Sequence, residues 1–232
     1  RDLRGLDVGC GTGETTARLS AAVGASGRVL GVDISEALVE AARAQKLANA
    51  TFAVADAATY AFEQAAADLV FSRFGVMFFA DPVKAFRNLR GAMKPSGRLV
   101  FVCWRTPQEN PWGLVPMRAA LPHLPPYERP GPEDPGQYAF GDRARVERIL
   151  KEAGFGAPSF EKLDQPNTLG RDVPDVLENL GKFGPLARLF KEATPEQVAK
   201  AKDAIAEALA PHATPEGVRL PAACWLVRAA QH

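Results

Sequence analysis

Three glycines at alternate positions, Gly9, Gly11 and Gly13, separate a short apolar run over residues 3–8 from a helical stripe over residues 19–23. Glycine at such a turn permits backbone with positive φ, and it lets N–H groups approach a ligand at a helix N-terminus. A strand, a glycine turn and a helix in this order predict the first unit of a parallel α/β sheet. In such sheets, ligands bind at the carboxyl edge of the strands.

The same alternation of strand and helix continues to residue 105, and the predicted strands are short apolar runs. Such runs are typical of a parallel sheet that is covered on both faces. Ser35, Asp81 and Asp142 are predicted helix N-caps. The further predicted strands are 28–32, 51–55, 68–72 and 98–104, with later candidates at 159–163 and 222–229.

Proline marks a change in the character of the chain near Thr106. Residues 1–105 hold two of the 19 prolines, whereas residues 107–135 hold nine. We therefore expect a proline-rich lid over residues 106–141, with one short helix near 112–121, because a long loop of this kind is usually functional. A helix with a capping box is predicted to begin at Thr194.

Composition excludes several classes of protein. A net charge of +1 disfavours nucleic acid as the main partner, and the chain lacks an apolar run of 18 residues that could span a membrane. Cys10, Cys103 and Cys224 are odd in number and widely spaced, which disfavours both a disulfide framework and a metal site. We expect a cytoplasmic protein without a metal. The sequence makes no prediction of oligomeric state.

The spacing of the glycines constrains the cofactor. The dinucleotide fingerprint requires a third glycine where this chain has Glu14, and no phosphate-binding Gly-Lys-Ser/Thr occurs. Asp33 ends the second predicted strand, where an acid can accept both hydroxyls of a ribose. Asp7 and Glu14 together would repel a pyrophosphate, whereas Asp7, two residues before the glycines, suits a cofactor with a cationic amino-acid end and no phosphate.

With this pattern the chain resembles the class I S-adenosylmethionine-dependent methyltransferases, over roughly residues 3–105. It is loosely similar to the ubiquinone and menaquinone methyltransferases among them. The supporting segments are GVDIS at 31–35, VADAA at 54–58, DLVFSRFGVMFFADP at 68–82 and LRGAMKPSGRLVFVCW at 89–104.

The resemblance implies an α/β fold with a Rossmann-like, doubly wound, mostly parallel sheet of seven strands, the last antiparallel, and a helical cap. Residues 1–105 would form the cofactor-binding half. Residues 142–164 and 220–232 would complete the sheet, and 165–219 would be the inserted cap. The family usually has helices before its first strand, so we expect a segment before Arg1. His232, the last residue, is expected to be frayed.

The resemblance also implies S-adenosylmethionine as cofactor. Asp33 would hold the ribose, Ile34 would pack on the adenine, and Asp56 would accept from the adenine amino group. Cys10 is interpreted as a packed loop residue rather than a nucleophile. The implied cofactor-binding residues are Asp7, Gly9, Cys10, Gly11, Thr12, Gly13, Asp33, Ile34, Asp56, Ala57, Arg73 and Phe74.

The expected reaction is a direct SN2 transfer of the methyl group to a small apolar or aromatic acceptor. The loop after the fourth strand lacks the motif of relatives that methylate nucleic-acid bases. The sequence identifies no catalytic residue beyond His123 as a candidate base. Two alternatives stay open: a non-catalytic protein that binds S-adenosylmethionine or S-adenosylhomocysteine, and an NAD(P)-dependent oxidoreductase, which the glycine spacing disfavours. The candidate acceptor residues are Trp104, Arg105, Trp112 and Tyr138.

Overall fold

The computed structural model describes residues 2–128, 130–131, 133–181 and 184–231, so the expectations for Arg1 and His232 lie outside the described residues. The chain forms two compact units. The first unit comprises residues 1–104, 132–162 and 224–232, and the second comprises 105–131 and 163–223. Residues 133–141, at the end of the proline-rich segment, therefore group with the first unit.

Strands and helices alternate in the order that the sequence indicates. Within the described residues the strands are β1 (Arg4–Val8), β2 (Arg28–Asp33), β3 (Ala50–Val54), β4 (Ala67–Arg73), β5 (Met93–Trp104), β6 (Ser159–Gly170), β7 (Ala213–Thr214) and β8 (Gly217–Ala230). The helices are α1 (Glu14–Val23), α2 (Glu36–Arg43), α3 (Pro82–Ala92), α4 (Pro111–Ala120), α5 (Arg143–Glu152), α6 (Val173–Leu180), α7 (Gly184–Glu192) and α8 (Pro195–Leu209).

The strands follow the order β3-β2-β1-β4-β5-β8-β6. Pairs among β1 to β5 are parallel, and β8 runs antiparallel to β5 with Trp104 opposite Cys224. The expected doubly wound sheet with an antiparallel last strand is confirmed. The two-residue β7, which pairs with the start of β8, brings the number of strands to eight. The chain reverses direction across the sheet between β1 and β4, the switch point where such sheets bind ligands.

Local sequence signals explain where the helices of the first unit begin. Ser35, Asp81 and Asp142 each accept a hydrogen bond from a backbone N–H in the first turn, as predicted. Phe86 of α3 packs against Phe101 of β5 with ring centroids 5.7 Å apart, and both side chains are fully buried. This core fixes β4 and β5 side by side and thereby positions the loops at their carboxyl ends.

The second unit has its own apolar core. Ala201, Ile205 and Leu209 of α8 are buried, and the helix starts at the predicted capping box, in which Thr194 and Gln197 exchange hydrogen bonds. The predicted short helix near 112–121 is α4. Among the described residues, no helix is both long enough and apolar enough to cross a membrane.

Candidate functional site

The glycine turn at the carboxyl end of β1 is bent by left-handed backbone. Gly9, Gly11 and Gly13 have φ of 69°, 55° and 86°. A side chain at Gly9 would also come within 2.8 Å of the Cα atom of Gly75, in the loop after β4. The turn therefore packs tightly against the loop after β4. Position 9 requires glycine both for its positive φ and for the lack of space for a side chain.

Gly11 faces open space. Among the described residues, apart from its chain neighbours, no atom lies within 4 Å of the position that its Cβ would take, while its N–H donates to Asp33 Oδ2 at 2.9 Å. Asp33 Oδ1 accepts from the Ser35 N–H at 3.0 Å. An ionised carboxylate has about four lone-pair sites, so Asp33 keeps acceptor capacity for further donors. The geometry thus leaves room for a ligand beside a fixed, half-buried carboxylate.

Asp7 lies beneath the turn and is completely buried. Its Oδ2 accepts from the Thr15 and Thr16 hydroxyls, each at 2.7 Å. Burial raises the pKa of Asp7, and these two hydrogen bonds oppose the rise. Its Oδ1 has no hydrogen-bond partner among the described residues. A buried acceptor without a donor fits a cofactor with a cationic amino group, reached directly or through a water.

Three further predicted cofactor residues, Ile34, Asp56 and Ala57, lie at the same edge. Ile34 follows β2 directly, and its side chain is 76% exposed, which is unusual for a large aliphatic residue. Asp56 follows β3, is exposed, and accepts from the Ala58 N–H at 2.8 Å, so it also closes a turn. The side chain of Ala57 is buried. Ile34 therefore offers an apolar surface beside Asp33.

Charge at the start of α1 is balanced across the turn. Arg73, the last residue of β4, donates to Glu14 Oε2 at 2.7 Å. This hydrogen bond is the main reason why the pKa of Glu14 is lowered. Thr12 is exposed, and its carbonyl accepts from the side chain of Gln45. Glu14, predicted to repel a pyrophosphate, is thus paired with Arg73.

An aromatic pair follows at the ends of β4 and β5. Phe74 has a φ of 62°, rare for a bulky residue, and its ring stacks on Trp104 with centroids 4.3 Å apart and planes 5° from parallel. Backbone strain of this kind persists only where the surroundings enforce it, and it often occurs at functional positions. The Phe74 N–H donates to the Val102 carbonyl at 3.0 Å, which holds the strained residue against β5.

Two groups of the first unit that could act as nucleophile or base are poorly suited to either task. Cys10 is buried, and burial, with the nearby charges of Asp7 and Asp33, raises its pKa to about 12. This supports the interpretation of Cys10 as a packed loop residue. Burial likewise raises the pKa of Tyr138 to about 12, so its hydroxyl stays protonated at neutral pH.

The remaining acceptor candidates belong to the second unit. Arg105 is almost fully buried and donates to Glu109 and, at 2.6 Å, to Asp164 Oδ1. Trp112 donates to Asn110 Oδ1 at 3.1 Å. His123 is half-buried and ends a short 3-10 turn, Leu121–His123. Arg105 and Trp112 thus have structural partners within their own unit.

Four residues that hold the site together were not predicted from the sequence: Thr15 and Thr16, which bond to Asp7, and Ser72 and Gly75, which bond to each other beside Val8. The threonines could have been found from their position in the first turn after the glycines. Ser72 and Gly75 carry no local signal, because their role depends on β4 lying next to β1. Among the described residues, no group of three potential metal ligands occurs.

A glycine turn after β1, an acid that ends β2 and an aromatic pair at the ends of β4 and β5 thus lie at one edge of a doubly wound sheet. Residues 6–101 match the family model described as a methyltransferase domain. The chain is similar to the class I S-adenosylmethionine-dependent methyltransferases, and the match to the family model covers 96 of its 232 residues.

Two relatives that the chain resembles are also named as methyltransferases. The chain is 26% identical over 178 residues to a ubiquinone/menaquinone biosynthesis C-methyltransferase of Idiomarina loihiensis, a match that covers 73% of this chain and 71% of the relative. It is 34% identical over 110 residues to a demethylmenaquinone methyltransferase of Staphylococcus aureus, covering 47% of this chain and 45% of the relative. The chain thus spans less than half of the staphylococcal protein.

The fold is also that of a solved structure, the YcgJ protein of Bacillus subtilis. The TM-score is 0.62 at 16% identity, with 100% of this chain and 92% of the other covered. At this identity the likeness concerns the fold alone.

Proposed function

We propose that this chain transfers a methyl group from S-adenosylmethionine, by direct SN2 displacement, to a small apolar or aromatic acceptor. One observation carries this proposal: the open glycine turn, the fixed carboxylates beside it and the Phe74–Trp104 pair lie together within one unit. All of these lie at the carboxyl ends of neighbouring strands. The relatives named as methyltransferases of quinone biosynthesis support an acceptor of this kind.

The cofactor would lie on the glycine turn, and when bound it supplies a methyl group on a positively charged sulfur. Asp33 would accept from the ribose hydroxyls, and Ile34 would cover one face of the adenine. Asp7 Oδ1 would accept, directly or through a water, from the amino group. The other residues proposed to contact the cofactor are Gly9, Cys10, Gly11, Thr12, Gly13, Asp56, Ala57, Arg73 and Phe74.

On the acceptor side the chain would contribute alignment and exclusion of water, which are the main requirements when the leaving group is already activated. Phe74 and Trp104 would provide a flat apolar surface. Burial raises the pKa of Cys10 and of Tyr138 to about 12, so neither is proposed as the base. Tyr138, Arg105 and Trp112 are proposed to contact the acceptor, with His123 as candidate base.

We also propose roles for two further segments of the chain, the kind of partner and the cellular location. Residues 106–141 would act as a lid and 165–219 as a cap. The partner is a small molecule, and a cytoplasmic location is supported by the buried thiols of Cys10 and Cys103, which suit a reducing compartment.

Titration calorimetry with S-adenosylmethionine, S-adenosylhomocysteine and NADH tests the cofactor. We expect both sulfur compounds to bind and NADH to give no heat; tight binding of NADH alone would overturn the proposal. Incubation with S-adenosylmethionine and a panel of small phenols, hydroquinones and carbon acids then tests turnover through release of S-adenosylhomocysteine. Binding without turnover on the whole panel would favour the non-catalytic alternative.

A further inference from the structure

A single buried hydroxyl group links the glycine turn to the loop after β4. Ser72, near the end of β4, is completely buried. Its hydroxyl donates to the Val8 carbonyl at 2.7 Å and accepts from the Gly75 N–H at 3.2 Å. Val8 immediately precedes Gly9, and Gly75 immediately follows Phe74. The two loops at the switch point of the sheet are therefore joined through one side chain.

Close backbone packing reinforces this link. A Cβ atom on Gly75 would lie 2.7 Å from the Val8 carbonyl oxygen and 3.0 Å from the Gly9 Cα. The φ of Gly75 is −89°, which any residue adopts. Proximity to the glycine turn, rather than backbone conformation, is what requires a glycine at this position.

The Phe74–Trp104 pair follows next in this series of contacts, because Phe74 directly precedes Gly75. Phe74 is fixed by its N–H bond to Val102 and by its stack on Trp104, while its left-handed φ leaves the backbone little freedom to relax. A displacement of the glycine turn would therefore pass through Ser72 and Gly75 into the Phe74–Trp104 stack, because close-packed interiors transmit strain.

We propose that Ser72 is a positioning residue that couples occupancy of the glycine turn to the placement of the Phe74–Trp104 pair. The inference rests on the proposed function, in which the turn holds the cofactor and the pair faces the acceptor. Ser72 would contact neither molecule. Its task is to set the spacing between them, on which the alignment of a direct transfer depends.

Fluorine NMR on the full chain labelled with 5-fluorotryptophan gives a direct readout. The chain has three tryptophans, so three resonances are expected, and Trp104→Phe assigns the one of interest. We expect saturation with S-adenosylhomocysteine to shift the Trp104 resonance in the wild type. Ser72→Ala should still bind S-adenosylhomocysteine, about fivefold to tenfold more weakly since two backbone groups lose a partner. At saturation its Trp104 shift should be lost.

The matched control is Ser20→Ala, which deletes a hydroxyl bonded to Asn49 in the same unit, away from both loops. It should keep the wild-type shift. Should Ser72→Ala fail to fold, Gly75→Ala probes the same contact with every hydrogen-bonding group retained, and it should show the same loss.

The outcomes separate cleanly. An equal Trp104 shift in saturated Ser72→Ala, or no shift in the saturated wild type, overturns the coupling and leaves the proposed function intact. Failure of the wild type to bind S-adenosylhomocysteine by calorimetry removes the proposed function, and the coupling with it.

Discussion

The rings of Phe74 and Trp104 lie nearly parallel, 4.3 Å apart, although the backbone of Phe74 has a φ of 62°. Two consecutive parallel strands end in this stack. Left-handed backbone costs a residue with a Cβ about 1–2 kcal/mol, so the packing of the ring must offset that cost. The strain and the stack can be separated by substitution.

When Phe74 is truncated, the glycine variant should be more stable than the alanine variant, the reverse of the usual order. Both variants lose the stack, but glycine adopts positive φ without cost, so Phe74→Gly should be more stable than Phe74→Ala by about 1 kcal/mol in urea unfolding. Phe79, whose φ is −64°, is the matched control. There the glycine variant should be the less stable of the two, by about 0.5–1 kcal/mol. The same order at both positions would show that Phe74 is not strained.

Asp33 should contribute to cofactor affinity more than to folding. Asp33→Ala removes the carboxylate that accepts from the Gly11 N–H and would accept from the ribose, so binding should weaken by about 1–3 kcal/mol. Glu36→Ala, an exposed acid in the first turn of α2, is the control and should bind like the wild type. Calorimetry with S-adenosylhomocysteine measures both. An unchanged affinity for Asp33→Ala would refute the ribose assignment.

In the second unit, the Arg105–Glu109 pair should make stability dependent on pH. Hydrogen bonding to Arg105 is the main reason that the pKa of Glu109 falls from about 4.5 to about 2. Because the folded-state pKa is lowered, this stabilisation is present above pH 4.5 and lost as the pH falls towards 2. Glu109 is 39% exposed, so after screening by solvent we expect about 1 kcal/mol.

Urea unfolding of Glu109→Gln between pH 2 and pH 7 measures this contribution. The variant should be less stable than the wild type at pH 7, and the difference should vanish at low pH. Glu161→Gln breaks the half-exposed pair with Arg228 and serves as the control, with little change at any pH. A difference for Glu109→Gln that persists at pH 2 would assign the effect to packing rather than charge.

The features that were predicted correctly from the sequence are those that depend on residues close together along the chain. The glycine turn, the N-caps Ser35 and Asp81 and the capping box at Thr194 are local patterns, and each is found where expected. The pairing of Arg73 with Glu14 joins residues 59 positions apart, and the Ser72 bond to Val8 joins residues 64 apart. These contacts exist only because β4 lies beside β1, which no local pattern encodes.

Two glycines with positive φ distinguish ligand binding from folding. Gly11 and Gly24 have φ of 55° and 74°, and at both an added Cβ would meet no atom within 4 Å among the described residues outside its chain neighbours. Alanine at either position should therefore destabilise the fold through backbone strain alone, and more so at Gly24, whose ψ of 179° lies in a region that is almost restricted to glycine. Gly11 borders the space proposed for the cofactor, whereas Gly24 caps the far end of α1.

We expect Gly11→Ala to weaken S-adenosylhomocysteine binding at least about tenfold, and Gly24→Ala to bind like the wild type, when both are titrated well below their unfolding transitions. Equal affinities for the two variants would place the ligand elsewhere than on the glycine turn.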